Sequence, residues 1–232
     1  MVNPTGTLYN PLSVARTLNN FADCKQYQPD DLIENQGLWR CYDHHSRLAD
    51  GDATKALQMI NQAMRIGHDA LLAATHIIIT FGTAYVFERN GQVVCNCHKM
   101  PAAKFTRRRL AIDEIVDAWR PIIDRYSAEK KFIFTVSPIR HTADGLHGNQ
   151  LSKATLLMAI EKLGVEYFPA YEALIDDLRD YRFYADDLVH PSAMAVDYIY
   201  ELFTTQYCSE ATMAQAKIMR KQALRNAHRE MH

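Results

Sequence analysis

The spacing of apolar residues divides the chain into alternating helices and strands. Pro11–Leu18 has apolar positions at helical spacing, with Asn10 placed to cap and Pro11 at the first position. A polar loop with a helical turn is expected over 23–35, then a short aromatic strand at 37–42. From Asp52 to Gly67, residues Ala56, Leu57, Ile60, Ala63 and Met64 form one helical face that Gly67 should close. Thr75–Phe81 is nearly all apolar and β-branched, which predicts a buried strand ending at Gly82-Thr83. Stretches 84–87 and 93–97 flank Asn90-Gly91, a two-residue hairpin turn. Helices are predicted over 112–126, 149–163, 171–178, 193–203 and 210–231, and strands over 131–137 and 165–169. Strand–helix alternation of this kind gives an α/β fold with a mainly parallel sheet covered on both faces. No repeat or linker is visible, so residues 1–232 are expected to form one domain, with 210–232 as a C-terminal helical extension.

Composition adds mainly exclusions. The chain of 232 residues is 48% hydrophobic and 23% charged, ordinary for a globular protein that can bury a sizeable core. A formal net charge of −1 gives no global reason to expect nucleic acid or an anionic membrane as partner. The basic clusters at 104–109 and 217–229 are read as solvated faces on helical stretches. Five irregularly spaced cysteines argue against a disulfide framework and for a reducing, cytoplasmic setting. Cys95-Asn96-Cys97-His98 lacks the two-residue gap of zinc knuckles and has no answering pair, so neither a metal nor another cofactor is expected. His44 and His45 are adjacent, so on a strand they would face opposite ways; a surface or partly buried loop is expected there, with a substrate-binding role as the alternative.

Three polar groups fall after predicted strands or between helices. They are Gly82 to Asn96 and His98, Ser137 to Arg140 and His141, and Asp187 to His190. In open α/β sheets, ligands sit outside the carboxyl ends of strands. Asp187 three residues before His190 fits an acid–base arm, with the carboxylate orienting the imidazole and the imidazole deprotonating a hydroxyl. A structural helix-entry turn accounts for the same spacing. Backbone amides near Gly6 or Gly82, and the Asn96 side chain, are candidate oxyanion donors.

Five blocks carry a resemblance. Val2-Asn3-Pro4-Thr5-Gly6-Thr7-Leu8-Tyr9-Asn10-Pro11, Phe81-Gly82-Thr83-Ala84-Tyr85, Asn96-Cys97-His98-Lys99, Val136–His141 and Asp180–Ser192 together resemble the GSCFA family, a relative of the SGNH (GDSL-like) hydrolases. The resemblance implies a flavodoxin-like three-layer α/β/α sandwich and hydrolysis of a small-molecule or carbohydrate ester without a cofactor. It also implies that Asp187 and His190 are the Asp-x-x-His block of the site. Two departures follow. The Gly-Ser-Cys-Phe-Ala block that carries the family's expected nucleophile is not in this sequence, so an N-terminal strand is expected to be missing from the sheet. Its loss would leave an open edge and favour self-association. Ala84 stands where SGNH enzymes carry the oxyanion asparagine, and Asn96 is the available substitute. Ser137 is the alternative strand-end nucleophile, although Pro138 removes a neighbouring amide. The competing readings are a non-catalytic carbohydrate- or ligand-binding relative and a truncated, inactive product.

Overall fold

The computed structural model describes residues 2–216, 218, 219 and 222. Most of the expected terminal extension lies outside them, while 210–216 are helical. The chain falls into two compact units, residues 1–169 and Ala170 onward.

In the first unit, α1 (Pro11–Ala22) starts as the sequence predicts. Asn10 Oδ1 accepts from the Ser13 N–H at 2.9 Å, and proline at the first position lacks only a donor that a helix start leaves unpaired. A hairpin of β1 (Ile33–Asn35) and β2 (Leu38–Arg40) follows. Asp52 caps α2 (Ala53–Ala73) by accepting from the Thr54 and Lys55 amides. The helix does not stop at Gly67. The Phe21 ring occupies the place of a Gly67 side chain, 2.2 Å from where a Cβ would sit, so glycine here serves close contact between α1 and α2.

Two sheets complete this unit. Strands β4 (Tyr85–Arg89), β5 (Gln92–Val94) and β6 (Thr106–Arg109) form an antiparallel sheet in the order β5-β4-β6. Asn90 (φ 53°) and Gly91 (φ 75°) make the expected turn. The basic stretch read as helical is instead β6. Pairing with β4 overrides its local preference, and Arg108 is held by Glu88 at 2.8 Å and Glu114 at 2.6 Å. The second sheet contains β3 (His76–Phe81), β7 (Lys131–Val136) and β8 (Glu166–Phe168), parallel and in the order β3-β7-β8. Helices α3 (Ile112–Tyr126) and α4 (Gly145–Leu163) precede β7 and β8, giving the mixed α/β architecture that the alternation predicts.

The register decides which way β3 faces. Lys131 donates to the Thr75 carbonyl and Ser137 to the Phe81 carbonyl, each at 2.8 Å. Thr75, Ile77, Ile79 and Phe81 therefore turn their backbone groups toward β7, and His76, Ile78 and Thr80 turn theirs away. Among the described residues no strand pairs with that outer edge. The isoleucine run predicted full burial, yet Ile78 is 52% exposed because β3 is an edge strand.

The core centres on Trp119. Its ring meets Phe81 at 5.4 Å and Phe134 at 5.0 Å, both edge-to-face, and its indole N–H donates to the Pro11 carbonyl at 3.1 Å. One side chain thus ties α3 to β3, β7 and α1.

The second unit contains α5 (Ala170–Glu172), a π-helical continuation over Ala173–Leu178, and α6 (Ala193–Tyr207). Leu174, Tyr184 and Ala195 form its small core.

Trp119→Ala should cost about 3–5 kcal/mol of folding free energy in a urea titration, the usual range for emptying a fully buried aromatic site. Trp119→Phe, which loses the bond to Pro11 but refills most of the volume, should cost less than half as much.

Candidate functional site

The Asp187–His190 pair is built by a tight loop just ahead of α6. Ala185 N–H donates to the His190 carbonyl at 2.8 Å, and Leu188 takes a left-handed conformation (φ 56°) that turns the chain back. Ser192 then caps α6 by accepting from the Ala195 N–H. Inside the loop, Asp187 Oδ1 accepts from the Val189 and His190 amides, each at 2.9 Å. Oδ2 accepts from His190 Nδ1 at 2.6 Å. These bonds, led by the His190 backbone amide, hold the Asp187 carboxyl down at about 2. The carboxylate can only accept, so the contact orients the His190 ring with Nδ1 as its donating nitrogen. Both side chains are about half exposed. This geometry serves a helix-entry turn and an acid–base arm equally.

A second cluster joins the carboxyl ends of β3 and β7. Lys153, 1% exposed on α4, donates to the Gly82 carbonyl at 2.8 Å and the Ser137 carbonyl at 2.5 Å. His141 Nε2 donates to the same Gly82 oxygen at 3.1 Å, and the His141 N–H donates to Asn149 Oδ1. Ser152 Oγ accepts from the Ala84 N–H at 2.8 Å and lies 3.2 Å from Thr83 Oγ1. Burial pulls the Lys153 amine down to about 7, and burial together with the nearby Lys153 charge lowers His141. Gly82, Ser137 and His141 thus come together as their strand-end positions suggest. Sequence reasoning missed the residue that joins them. A signal was present: Lys153 lies in step with Leu156, Ile160 and Leu163 on the buried face of α4.

The remaining candidates are anchored elsewhere. His98, buried and with φ 51°, places Nε2 2.7 Å from the Cys41 carbonyl, while its own carbonyl accepts from Asn35 and Arg40. Asn96 Oδ1 accepts from the His98 N–H at 2.8 Å. Gly6 (φ 97°) bonds its N–H to the Asn3 carbonyl and lies against His45. The Gly82 N–H is taken by the Tyr9 carbonyl at 2.8 Å. Ser137 Oγ accepts from the Ile139 N–H at 3.3 Å, and Arg140 follows in the same half-buried loop. His44 and His45 lie in the expected loop, yet His44 is 1% exposed and burial lowers it to about 4. Among the described residues, no three His, Cys, Asp or Glu side chains are grouped to hold a metal, and no helix is long and apolar enough to cross a membrane.

The sequence model of the GSCFA family matches residues 1–203. The chain belongs to the GSCFA family. The match takes in both the Asp187–His190 loop and the strand-end cluster of this GSCFA protein. Neither a curated protein nor a solved structure matches it.

The Lys153 geometry gives a pH test. An amine lowered in the folded state stays protonated in the unfolded state between about 7 and its ordinary value of 10.5. The unfolded state then binds more protons, so stability rises with pH across that window. Between pH 7 and 8.5, the wild-type unfolding free energy should rise relative to that of Lys153→Met. Parallel pH profiles for the two proteins in denaturant titrations would refute it.

Proposed function

We propose that this GSCFA protein is an SGNH-type ester hydrolase acting on a small-molecule or carbohydrate ester, with Asp187 and His190 as its acid–base arm. The observation that carries the reading is the 2.6 Å contact that fixes the proton on Nδ1 and leaves Nε2 to take another. In the reaction, Nε2 removes the proton of a serine hydroxyl as its oxygen attacks the acyl carbon. The resulting imidazolium, steadied by Asp187, gives that proton to the departing alcohol oxygen. Water then attacks the acyl-enzyme, with the same histidine taking and returning a proton. A flavodoxin-like three-layer sandwich is the matching fold proposal, supported by the parallel sheet with its interposed helices. The cytoplasmic setting is supported by five cysteines that are all free.

A second reading, a non-catalytic carbohydrate- or ligand-binding relative, is favoured by one observation. The Gly6 and Gly82 amides are both bonded within the protein, and the Ala84 amide is bonded to Ser152. None of the three is thus an idle oxyanion donor.

A fluorophosphonate probe separates the readings. In the full gene product, one serine should be labelled stoichiometrically, and peptide mapping will identify it, with Ser137 as a control position. Labelling should slow by roughly 10²-fold or more in His190→Ala, the range for losing a general base. Labelling of no serine, or equal labelling rates in wild type and variant, would leave the binding reading.

A further inference from the structure

The antiparallel sheet of the first unit sorts its charges by face. Its register sets Tyr85 opposite Arg109, Phe87 opposite Arg107 and Val94, and Arg89 opposite Gln92, so these residues share one face. Glu88 and Arg108 lie on the other face, where Glu88 and Glu114 neutralise Arg108. Of the residues that the strands turn to the first face, none is acidic and three are arginines. Arg107 and Arg109 are exposed there, about 6.6 Å apart along β6 at the usual rise for two strand residues. The net charge of −1 averages this face with acidic surface elsewhere.

The arginines are layered on rings. Phe105 meets Phe87 at 6.4 Å and Tyr42 at 6.1 Å, both edge-on, which joins the sheet face to the Tyr42 ring. The Arg107 guanidinium lies over Phe87 at 4.7 Å and Tyr85 at 5.2 Å, and that of Arg89 lies over Tyr42 at 5.0 Å. Arg107 Nη2 also donates to Asp144 Oδ2 at 2.6 Å, from the turn before α4. Two rings and one carboxylate thus hold the Arg107 side chain in place before any ligand arrives.

We propose that this face binds single-stranded nucleic acid, with unpaired bases stacked against the Arg107 and Arg89 guanidinium groups and backbone phosphates on Arg109. Cationic platforms backed by aromatic rings suit a base, and they need no sequence readout because every base has a flat face. A neutral sugar would need the rings themselves, and Tyr85, Phe87 and Tyr42 lie under guanidinium groups. An acidic polysaccharide would use the charges and leave the platforms idle. A duplex keeps its bases stacked on one another. Asp144 tempers the charge at Arg107, so phosphate binding falls mainly to Arg109. The site stands independently of the Asp187–His190 reading.

The test is the fluorescence anisotropy of a labelled twelve-residue oligothymidylate titrated with the full chain at physiological salt. Binding should saturate, and log K should fall with log salt by about 0.7 per phosphate neutralised. An abasic oligomer of the same length, with the same phosphates and no bases, should bind roughly tenfold or more weakly. Arg107→Lys keeps the charge and loses the plane, so it should weaken oligothymidylate about fivefold or more and leave the abasic oligomer nearly unchanged. Arg109→Gln should weaken both oligomers and flatten the salt slope. Equal affinity for the two oligomers, or competition by polygalacturonate as strong as by unlabelled oligothymidylate, would overturn the proposal in favour of a general polyanion surface. Absence of saturable binding by protein that circular dichroism shows to be folded would overturn it outright.

Discussion

The parallel pairing of β3 with β7 is the constraint from which most of the first unit follows. Parallel ladders turn alternate residues to opposite sides, so fixing Lys131 on Thr75 and Ser137 on Phe81 sets every other orientation in β3. Phe81 and Phe134 are thereby brought onto Trp119 at the centre of the core. Gly82 and Ser137 end up close enough for one lysine amine to bond both carbonyls. The same alternation leaves Ile78 and Thr80 facing outward. A strand-end polar cluster and an open strand edge are two consequences of one register.

The two polar sites differ in character. Lys153, His141 and the Gly82 carbonyl form a buried group whose donors and acceptors satisfy one another, a task of holding strand ends in place. A buried amine left without such partners would be costly, which is why these bonds and the lowered proton affinity occur together. Asp187 and His190 are the reverse. The carboxylate spends one oxygen on two backbone amides and the other on a ring nitrogen, and both side chains stay about half exposed. That contrast sets the strand-end bonds of Lys153 apart from the exposed pair on which the proposed acid–base role of His190 rests.

Much of this was legible in the sequence, because the signals were local. Asn10-Pro11, Asp52, Asn90-Gly91 and the apolar periodicity of 112–126 each specify their element within a few residues. The Asp187–His190 contact was legible for the same reason, since both partners lie within one turn. What the pattern could not give depended on distant partners. Gly67 reads as a helix stop until the Phe21 ring is seen filling the place of its side chain. The run Arg107–Arg109 reads as a solvated helix until β4, Glu88 and Glu114 supply its partners. Three isoleucines read as a buried strand, because composition reports an affinity for burial and is silent about which edge lies open.

The functional account is most directly tested by the hydrolysis of p-nitrophenyl acetate by the full gene product and its His190→Ala variant, with folding matched by circular dichroism. If Nε2 is the general base, wild type should turn over and the variant's kcat/KM should fall by roughly 10²–10⁴-fold. Turnover of equal rate in the two proteins would remove His190 from the mechanism and with it the hydrolase reading of this loop.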